Sequence, residues 1–204
     1  MALASMAQLT LSEAEVALLG DAGFFVRPAF LGQALARRAR DEAAQLVRDG
    51  ALQRAGVRRG AGHRLDDAVR GDAITWLDET VSSPALREAA VLFEALLRAL
   101  NEGAYLGLRR TELQLAHYPA TGAGYQRHRD AFPGDDNRRM TAIVYLNEGW
   151  RPEHGGALRL HLEPAVDVEP RLDTLVVFRS EVVEHEVRPS FADRLAITAW
   201  YSAR

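Results

Sequence analysis

The sequence of 204 residues contains no cysteine. Disulfide bonds, thiolate nucleophiles, iron–sulfur clusters and cysteine-ligated zinc are therefore excluded. Any metal ion that this chain binds must be held by nitrogen and oxygen ligands, such as imidazoles and carboxylates. The absence of cysteine thus leaves only metal sites that are built from ligands other than thiolates.

The sequence also lacks a long apolar run and a strong excess of either charge. Its longest apolar stretches, such as Thr174–Phe178 and 195–200, are far shorter than the roughly 20 residues that span a bilayer. The N-terminus has no basic region followed by a continuous apolar stretch, as a secretory signal would. The formal net charge is −3, whereas nucleic-acid-binding domains usually carry a basic excess. We therefore expect a cytoplasmic protein whose partners include neither a membrane nor a nucleic acid.

Length and composition predict one domain. Of the 204 residues, 48% are hydrophobic, which is enough for one sizeable core and too little for two comfortable domains. We expect a single domain over residues 1–204. Residues 1–103 are predicted to provide helical support and a substrate loop, and residues 104–204 a mainly β core.

Helical periodicity dominates the first half of the chain. Apolar residues recur at helical spacing over residues 31–46, and Gly50 follows where a helix would end. A second helix is predicted over residues 83–100, where Pro84 suits the first helical turn because its missing N–H would have had no partner there. Residues 53–72 are rich in glycine, arginine and aspartate, which predicts a mobile loop between the two helices.

Short predicted strands fill most of the remaining chain. One is expected at residues 73–77, and eight more are expected at residues 111–118, 125–130, 139–147, 156–162, 165–168, 173–179, 184–188 and 193–201. This number and spacing of strands is typical of a sandwich or a barrel, with a jelly roll among the candidates. We therefore expect an α+β, mainly β fold, in which the N-terminal helices pack on one face of the sheet.

A histidine and an aspartate occur two residues apart near the end of a predicted strand. Alternate residues of a strand project to the same side, so His128 and Asp130 would point in one direction. This pair is consistent with two metal ligands. Taken alone, the pair is better explained as a strand-end histidine beside a turn aspartate, because such spacing occurs by chance in many proteins.

A third ligand candidate, His185, follows in a later predicted strand. Two imidazoles and one carboxylate on one face of an iron ion leave the opposite positions open for a cosubstrate and oxygen. Taken alone, His185 is also consistent with a satisfied core histidine. The remaining histidines are interpreted as structural, namely His63, His117, His154 and His161.

An arginine begins the last predicted strand. Arg194 lies on the same face of this strand as Thr198 and Trp200, and the other face is apolar. An inward-facing guanidinium requires a fixed anion, because an unpaired buried charge is very costly. It can grip a carboxylate through two hydrogen bonds, to which the Thr198 hydroxyl could add a third. A salt bridge to an internal carboxylate is the alternative for a lone arginine.

These residues belong to motifs that resemble the oxygen-sensing prolyl 4-hydroxylases. The resemblance extends from about Gly23 to Tyr201. The motifs that carry it are Arg70-Gly71-Asp72-Ala73-Ile74-Thr75-Trp76, Ala116-His117-Tyr118-Pro119, Gly124-Tyr125-Gln126-Arg127-His128-Arg129-Asp130, Ile143-Val144-Tyr145-Leu146-Asn147, Gly155-Gly156-Ala157-Leu158-Arg159, His185-Glu186-Val187-Arg188-Pro189 and Arg194-Leu195-Ala196-Ile197-Thr198-Ala199-Trp200-Tyr201.

The resemblance implies an Fe(II)- and 2-oxoglutarate-dependent dioxygenase with a double-stranded β-helix core of the jelly-roll, cupin-like type, buttressed by N-terminal helices. It implies Fe(II) as metal, 2-oxoglutarate and O2 as cosubstrates, and ascorbate as a candidate additional cofactor. His128, Asp130 and His185 match the iron ligands, and Arg194 matches the residue that holds the distal carboxylate of 2-oxoglutarate. The other cosubstrate-binding positions that it implies are Tyr145, Thr198, Tyr118, Ile143, Leu158 and Trp200.

The resemblance also implies a protein substrate with a target proline. Arg138, Arg70 and Trp76 are its candidate substrate contacts. The loop at residues 53–72 shares little sequence with the family, so hydroxylation of a free amino acid or small metabolite remains an alternative. A non-catalytic jelly-roll binding module is a further alternative, although such modules usually lose one of the ligand residues.

Overall fold

The computed structural model describes residues 9–55, 70–78, 83–131 and 138–203. Most of the predicted loop at residues 53–72, and residues 132–137, lie outside these ranges. Within them, no helix is both long and apolar enough to cross a membrane.

Three helices and eleven strands form the described part of the chain. The helices are α1 (Glu13–Asp21), α2 (Gln33–Arg48) and α3 (Pro84–Ala104), with a single 3-10 turn at Pro152–His154. The strands are β1 (Phe24–Pro28), β2 (Gln53–Arg54), β3 (Ala73–Trp76), β4 (Arg110–Tyr118), β5 (Ala123–His128), β6 (Arg138–Tyr145), β7 (Leu158–Leu160), β8 (Val166–Val168), β9 (Thr174–Arg179), β10 (His185–Ser190) and β11 (Arg194–Ser202).

The strands form two antiparallel sheets. The major sheet has the order β1-β9-β6-β11-β4-β3-β2, and the minor sheet has the order β5-β10-β7-β8. A cluster of buried apolar side chains joins the sheets, with Tyr145 and Phe178 from the major sheet and Leu160 and Val187 from the minor one. The expectation of an α+β, mainly β fold with a jelly-roll core is confirmed.

The helices cover the other face of the major sheet. Alternate residues of β11, among them Ile197 and Tyr201, pack into a cluster with α2 and α3, whereas Ala196 faces the minor sheet. The Tyr201 hydroxyl donates a hydrogen bond to the carbonyl of Phe93 in α3, with a length of 3.0 Å. The predicted two-faced character of the last strand is therefore confirmed.

Local sequence signals explain where the helices begin. Pro84 occupies the first turn of α3, as predicted. Tyr105, which follows the last residue of the helix, has a left-handed backbone conformation. The sequence interpretation did not include α1, although Ser12 and Glu15 form a reciprocal capping box at its N-terminus. It also did not include β1, which pairs with β9 at the edge of the major sheet. Both α1 and β1 precede residue 31, where the first helical periodicity of apolar residues begins.

The position of β11 between β4 and β6 determines where the inward-facing side chains of the sheet meet. Arg194 lies opposite Tyr118 on β4, and Ala196 lies opposite Tyr145 on β6. Asn147 fixes the start of β11, because its side chain accepts from the N–H of Leu195 at 2.7 Å and donates to the carbonyl of the same residue at 3.1 Å. This register brings the arginine and both tyrosines to one point between the sheets.

Phe93 is fully buried in α3, where its ring contacts that of Phe30 edge-on at 5.5 Å. We expect Phe93→Ala to lower the free energy of unfolding by about 3–5 kcal/mol, because it leaves a cavity between the helices and the major sheet. Val91→Ala is the matched control, since Val91 is 49% exposed on the same helix, and should change it by less than about 0.5 kcal/mol. Urea-induced unfolding followed by circular dichroism measures both values. Equally small effects of the two substitutions would contradict this packing.

Candidate metal centre and anion pocket

Three potential metal ligands converge where β5 and β10 pair at one end of the minor sheet. His128 ends β5, His185 begins β10, and the two residues are directly paired. With Asp130 they offer ligand atoms that all lie within 4.8 Å of one another. The carboxylate oxygens lie 3.7 Å from Nε2 of His128 and 3.8 Å from Nε2 of His185. Among the described residues, this is the one such group of three or more.

One detail of the predicted geometry is wrong. Asp130 was placed in a strand that ran to residue 130, but β5 ends at His128 and Asp130 lies in a bend. The strand alternation therefore does not direct its carboxylate. The bend does so instead, because the chain leaves the minor sheet at this point and turns Asp130 back towards His185.

Backbone carbonyls hold both imidazoles in one orientation. Nδ1 of His128 lies 2.7 Å from the carbonyl of Gln126, and Nδ1 of His185 lies 3.3 Å from that of Val183. A carbonyl can only accept, so each Nδ1 must carry the hydrogen and each Nε2 presents its lone pair to the site. Burial lowers the pKa of His185 to about 4, which keeps this ring neutral near pH 7. The same carbonyl contacts leave Nε2 of each ring as the atom that could bind a metal.

The carboxylate of Asp130 is ionised although it is buried. Burial alone would raise the pKa of Asp130, but His185, His128 and the indole of Trp200 hold it well below its usual range. The indole N–H of Trp200 has no well-aligned acceptor, so we interpret its effect as that of a nearby dipole and not of a formed hydrogen bond. A carboxylate beside two imidazoles matches the chemistry of a divalent metal site.

Two buried hydroxyl groups support Asp130 from the major sheet, and the sequence interpretation missed both. Thr141 on β6 donates from Oγ1 to Oδ2 of Asp130 at 2.8 Å, and Ser180 lies 2.8 Å from the same Oγ1. The available signal was a threonine inside the otherwise apolar run of β6. A hydroxyl group buried at that position requires a hydrogen-bond partner.

A buried guanidinium defines the second half of the site. Arg194 is 2% exposed, and its Nε donates to the carbonyl of Gly156 at 2.8 Å. Its guanidinium carbon lies 5.0 Å from the ring centroids of both Tyr118 and Tyr145. No carboxylate of the described residues forms a salt bridge with it, so the alternative of an internal ion pair finds no support there.

The hydroxyl group of Tyr145 is buried and has no hydrogen-bond partner within the described chain. Burial raises the pKa of Tyr145 to about 12, with Arg194 acting in the opposite direction, so the hydroxyl keeps its hydrogen and can donate it. Within the described residues, Arg194 has no carboxylate partner and the Tyr145 hydroxyl no acceptor, so the two together fit the carboxylate of a small anionic ligand.

Close backbone approach at Gly156 makes room for Arg194. Gly156 has a φ of +66°, which favours glycine. A Cβ atom there would lie 2.8 Å from Oγ of Ser190 and 3.1 Å from Cδ of Arg194. Although the Gly-Gly pair was part of the recognised motif, its contact with Arg194 becomes visible only in the folded chain.

The remaining predicted cosubstrate residues lie around this pocket. Ile143 and Leu158 belong to the apolar cluster between the sheets, together with Tyr118 and Tyr145. Thr198 is opposite Ile143 in the β11–β6 ladder and is half-buried. The pocket wall therefore combines apolar side chains with few polar groups, as in most ligand sites.

The predicted substrate residues fall into two groups. Trp76 is 40% exposed and its ring centroid lies 5.9 Å from that of Trp200. The guanidinium of Arg138 lies 4.3 Å from the Trp200 ring and donates to Glu112 at 3.1 Å. Two predicted substrate contacts, Trp76 and Arg138, therefore lie next to Trp200, which was predicted to bind the cosubstrate.

Arg70, by contrast, is engaged within the protein. It forms two hydrogen bonds with the Asp72 carboxylate, at 2.6 and 2.9 Å, and a third with Gln114 at 3.1 Å. Its guanidinium also lies 4.7 Å from the ring of Tyr125, which stacks on His128 at 3.7 Å. Arg70 therefore contacts the candidate metal site indirectly, because Tyr125 lies between its guanidinium and the ring of His128.

The other histidines lie away from this centre. His117 pairs with Asp193 at 2.9 Å, and His161 lies 3.7 Å from Glu186, although sequence spacing had indicated no carboxylate partners. His154 interacts with Arg151 within its own turn. His63 lies outside the described residues.

Comparisons with known proteins agree with this geometry. Residues 113–202 match the model of the 2OG-Fe(II) oxygenase superfamily. The chain is 37% identical to mouse prolyl hydroxylase EGLN3 over 197 residues, which cover 91% of this chain and 81% of that protein. It is also similar to the crystal structure of a Pseudomonas putida prolyl-4-hydroxylase, with 37% identity, a TM-score of 0.84 and coverage of 94% of this chain and 98% of that one.

A further similar structure is a prolyl hydroxylase from Trichoplax adhaerens in complex with a peptide fragment of the oxygen degradation domain of hypoxia inducible factor. It is 28% identical, has a TM-score of 0.85 and covers 93% of this chain and 87% of that one. Enzymes of this superfamily use Fe(II), 2-oxoglutarate and O2. The convergent ligands, the unpaired arginine and these similarities lead to one conclusion: the chain belongs to the prolyl hydroxylase family of 2-oxoglutarate- and Fe(II)-dependent oxygenases.

Proposed function

We propose that this enzyme hydroxylates a prolyl residue of a cytoplasmic protein and converts 2-oxoglutarate to succinate and CO2 in the same reaction. The observation that carries the proposal is the convergence of His128, Asp130 and His185 in a chain that also buries Arg194 without a salt bridge to any described carboxylate. Similarity to prolyl hydroxylases over 91% of the chain supports the choice of proline as target.

In this proposal His128, Asp130 and His185 hold the iron, and the fixed orientation of both imidazoles prepares the site for it. Three ligands on one face leave the other coordination positions open. The bound iron supplies the redox chemistry that couples decarboxylation of 2-oxoglutarate to oxygen transfer into a C–H bond. The residues of this chain supply position, charge and the exclusion of water.

Arg194 holds the distal carboxylate of 2-oxoglutarate, and the Tyr145 hydroxyl donates to the same group. Support comes from the unpartnered hydroxyl of Tyr145 and from the absence of a salt bridge to Arg194 among the described residues. Tyr118 and Thr198 contribute further polar contacts, and Ile143 and Leu158 form apolar walls. A low-dielectric pocket strengthens the pairing of guanidinium and carboxylate.

Trp76 and Arg138 are the proposed contacts for the protein substrate, and both lie near Trp200. The exposed Trp76 contacts Trp200, and Arg138 lies over the Trp200 ring; such a group suits an extended peptide, because aromatic and arginine side chains are enriched in protein interfaces. The role proposed for Arg70 is indirect, because Asp72 and Gln114 already occupy its guanidinium.

We expect Asp130→Ala to abolish succinate formation while the thermal midpoint of unfolding indicates a folded protein. The substitution removes the carboxylate ligand and leaves two imidazoles, which hold a divalent ion far more weakly. Asp167→Ala is the matched control, because Asp167 pairs with Arg159 on the minor sheet outside the site. Succinate assays with Fe(II) and 2-oxoglutarate compare the variants. A fully active Asp130→Ala enzyme would end the proposal.

The Tyr145 hydroxyl should contribute to 2-oxoglutarate affinity. We expect Tyr145→Phe to raise the apparent KM for 2-oxoglutarate about tenfold, because a hydrogen bond to a charged group contributes about 1.5–3 kcal/mol. Arg194→Ala should raise it by about 30-fold or more, since removal of one partner of a buried charge pair costs about 2–5 kcal/mol.

Tyr201→Phe provides the control, because the hydroxyl of Tyr201 is also buried but donates to α3 on the helical side of the sheet. It should lower stability and leave the KM for 2-oxoglutarate unchanged. An unchanged KM in both Tyr145→Phe and Arg194→Ala would contradict the assignment of the pocket.

The substrate class can be tested with a cell lysate. We expect incubation with enzyme, Fe(II), 2-oxoglutarate and ascorbate to produce, in mass spectra of tryptic peptides, a proline that is heavier by one oxygen atom. The Asp130→Ala protein serves as the inactive control. Hydroxylation of free amino acids or metabolites without any modified protein would favour a small-molecule hydroxylase. Absence of succinate under every condition would favour a non-catalytic module.

A further inference from the structure

Two buried hydroxyl groups connect Asp130 with the centre of the major sheet. Thr141 lies on β6, opposite Trp200 on β11 and Phe178 on β9. Its Oγ1 is 2.8 Å from Oδ2 of Asp130 and 2.8 Å from Oγ of Ser180. Thr141 and Ser180 are completely buried.

The direction of these hydrogen bonds follows from their chemistry. Thr141 donates its one hydroxyl hydrogen to Oδ2 of Asp130. Thr141 then has no hydrogen left for Ser180, which must donate to the Thr141 oxygen instead. The result is a directed relay from Ser180 through Thr141 to Asp130, in which each hydrogen bond polarises the next.

The carboxylate needs such support because of its place in the chain. Asp130 lies in a bend beyond the end of β5, so no strand pairing fixes its backbone. The terminal torsion of an aspartate has a broad energy minimum, so its two oxygens rotate easily unless they are held. Thr141, by contrast, lies in a central strand that is paired on both sides. The relay therefore connects a ligand outside the strands to a strand that is paired on both sides.

We propose that Thr141 is a positioning residue of the metal site and that Ser180 orients it, so that the relay increases the affinity of the site for a divalent metal. The inference rests on the proposed role of Asp130 as a ligand.

The hydrogen bond from Thr141 has two opposing effects on metal affinity. The donated hydrogen bond withdraws charge from the carboxylate, which weakens metal binding, whereas fixed orientation strengthens it. Loss of such supporting hydrogen bonds typically lowers metal affinity about 10–100-fold, so orientation outweighs charge withdrawal.

The test measures binding of Mn²⁺ alone to the purified full chain by electron paramagnetic resonance, which detects free Mn²⁺. We expect Thr141→Val to raise the dissociation constant about tenfold or more, because valine has a similar shape but no hydroxyl. Thr141→Ser keeps the donor and should stay within about threefold of the wild type. Ser180→Ala leaves the Thr141 hydroxyl in place but removes the hydrogen bond that orients it. This variant should raise the Mn²⁺ dissociation constant by about two- to fivefold, which is less than the effect of Thr141→Val.

Thr111→Val is the matched control, because Thr111 lies on β4 with a buried hydroxyl that has no hydrogen-bond partner in the described chain. It should leave Mn²⁺ affinity unchanged. If Thr141→Val binds as tightly as the wild type, or is weakened no more than Thr111→Val, the relay has no role at the metal and the proposal is overturned.

Should Thr141→Val fail to fold, Ser180→Ala decides in its place, and wild-type affinity in that variant overturns the proposal. Wild-type protein without any Mn²⁺ affinity would refute the proposed function and this inference together. Normal wild-type affinity with no effect of the relay variants would refute the inference alone.

Discussion

The pairing of β11 with both β4 and β6 is the constraint on which the rest of the structure depends. One face of this strand packs against the helices through Ile197 and Tyr201, while the other supports the space between the two sheets. A shift by one residue would exchange the two faces and direct Arg194 into the helical core. The clamp that Asn147 forms on Leu195 acts against such a shift at the point where the strand begins.

The site consists of two opposite charges that are buried and do not neutralise each other. Asp130 remains ionised beside two imidazoles, and Arg194 lies between two tyrosine rings. Each charge costs free energy when it is taken out of water without a full partner. The surrounding apolar clusters offset this cost, so the protein keeps a pocket whose charges complement a metal and an anion before either is bound. Such preorganisation is what electrostatic stabilisation in an active site requires.

Much of the site could be predicted from the sequence, and the limits have a physical cause. Ligand identity follows from residue type, and the unpaired Arg194 could be recognised because a cation in an apolar strand demands an explanation. The error at Asp130 arose because strand alternation was extended two residues beyond the end of β5, into a bend. The roles of Thr141, Ser180 and Gly156 were missed because each depends on a contact between residues far apart in the chain.

The sequence by itself determined the types of residue available for chemistry, the two-sided character of the last strand and the succession of short strands, because these depend on local periodicity. Absence of cysteine limited any metal site to nitrogen and oxygen ligands. Only the tertiary structure decided that His128 and His185 are paired neighbours, that Arg70 is already engaged by Asp72, and that a relay of hydroxyl groups reaches Asp130. These contacts join residues that are far apart in the chain and depend on how the two sheets pack. The local sequence pattern of one strand contains no information on its distance from another.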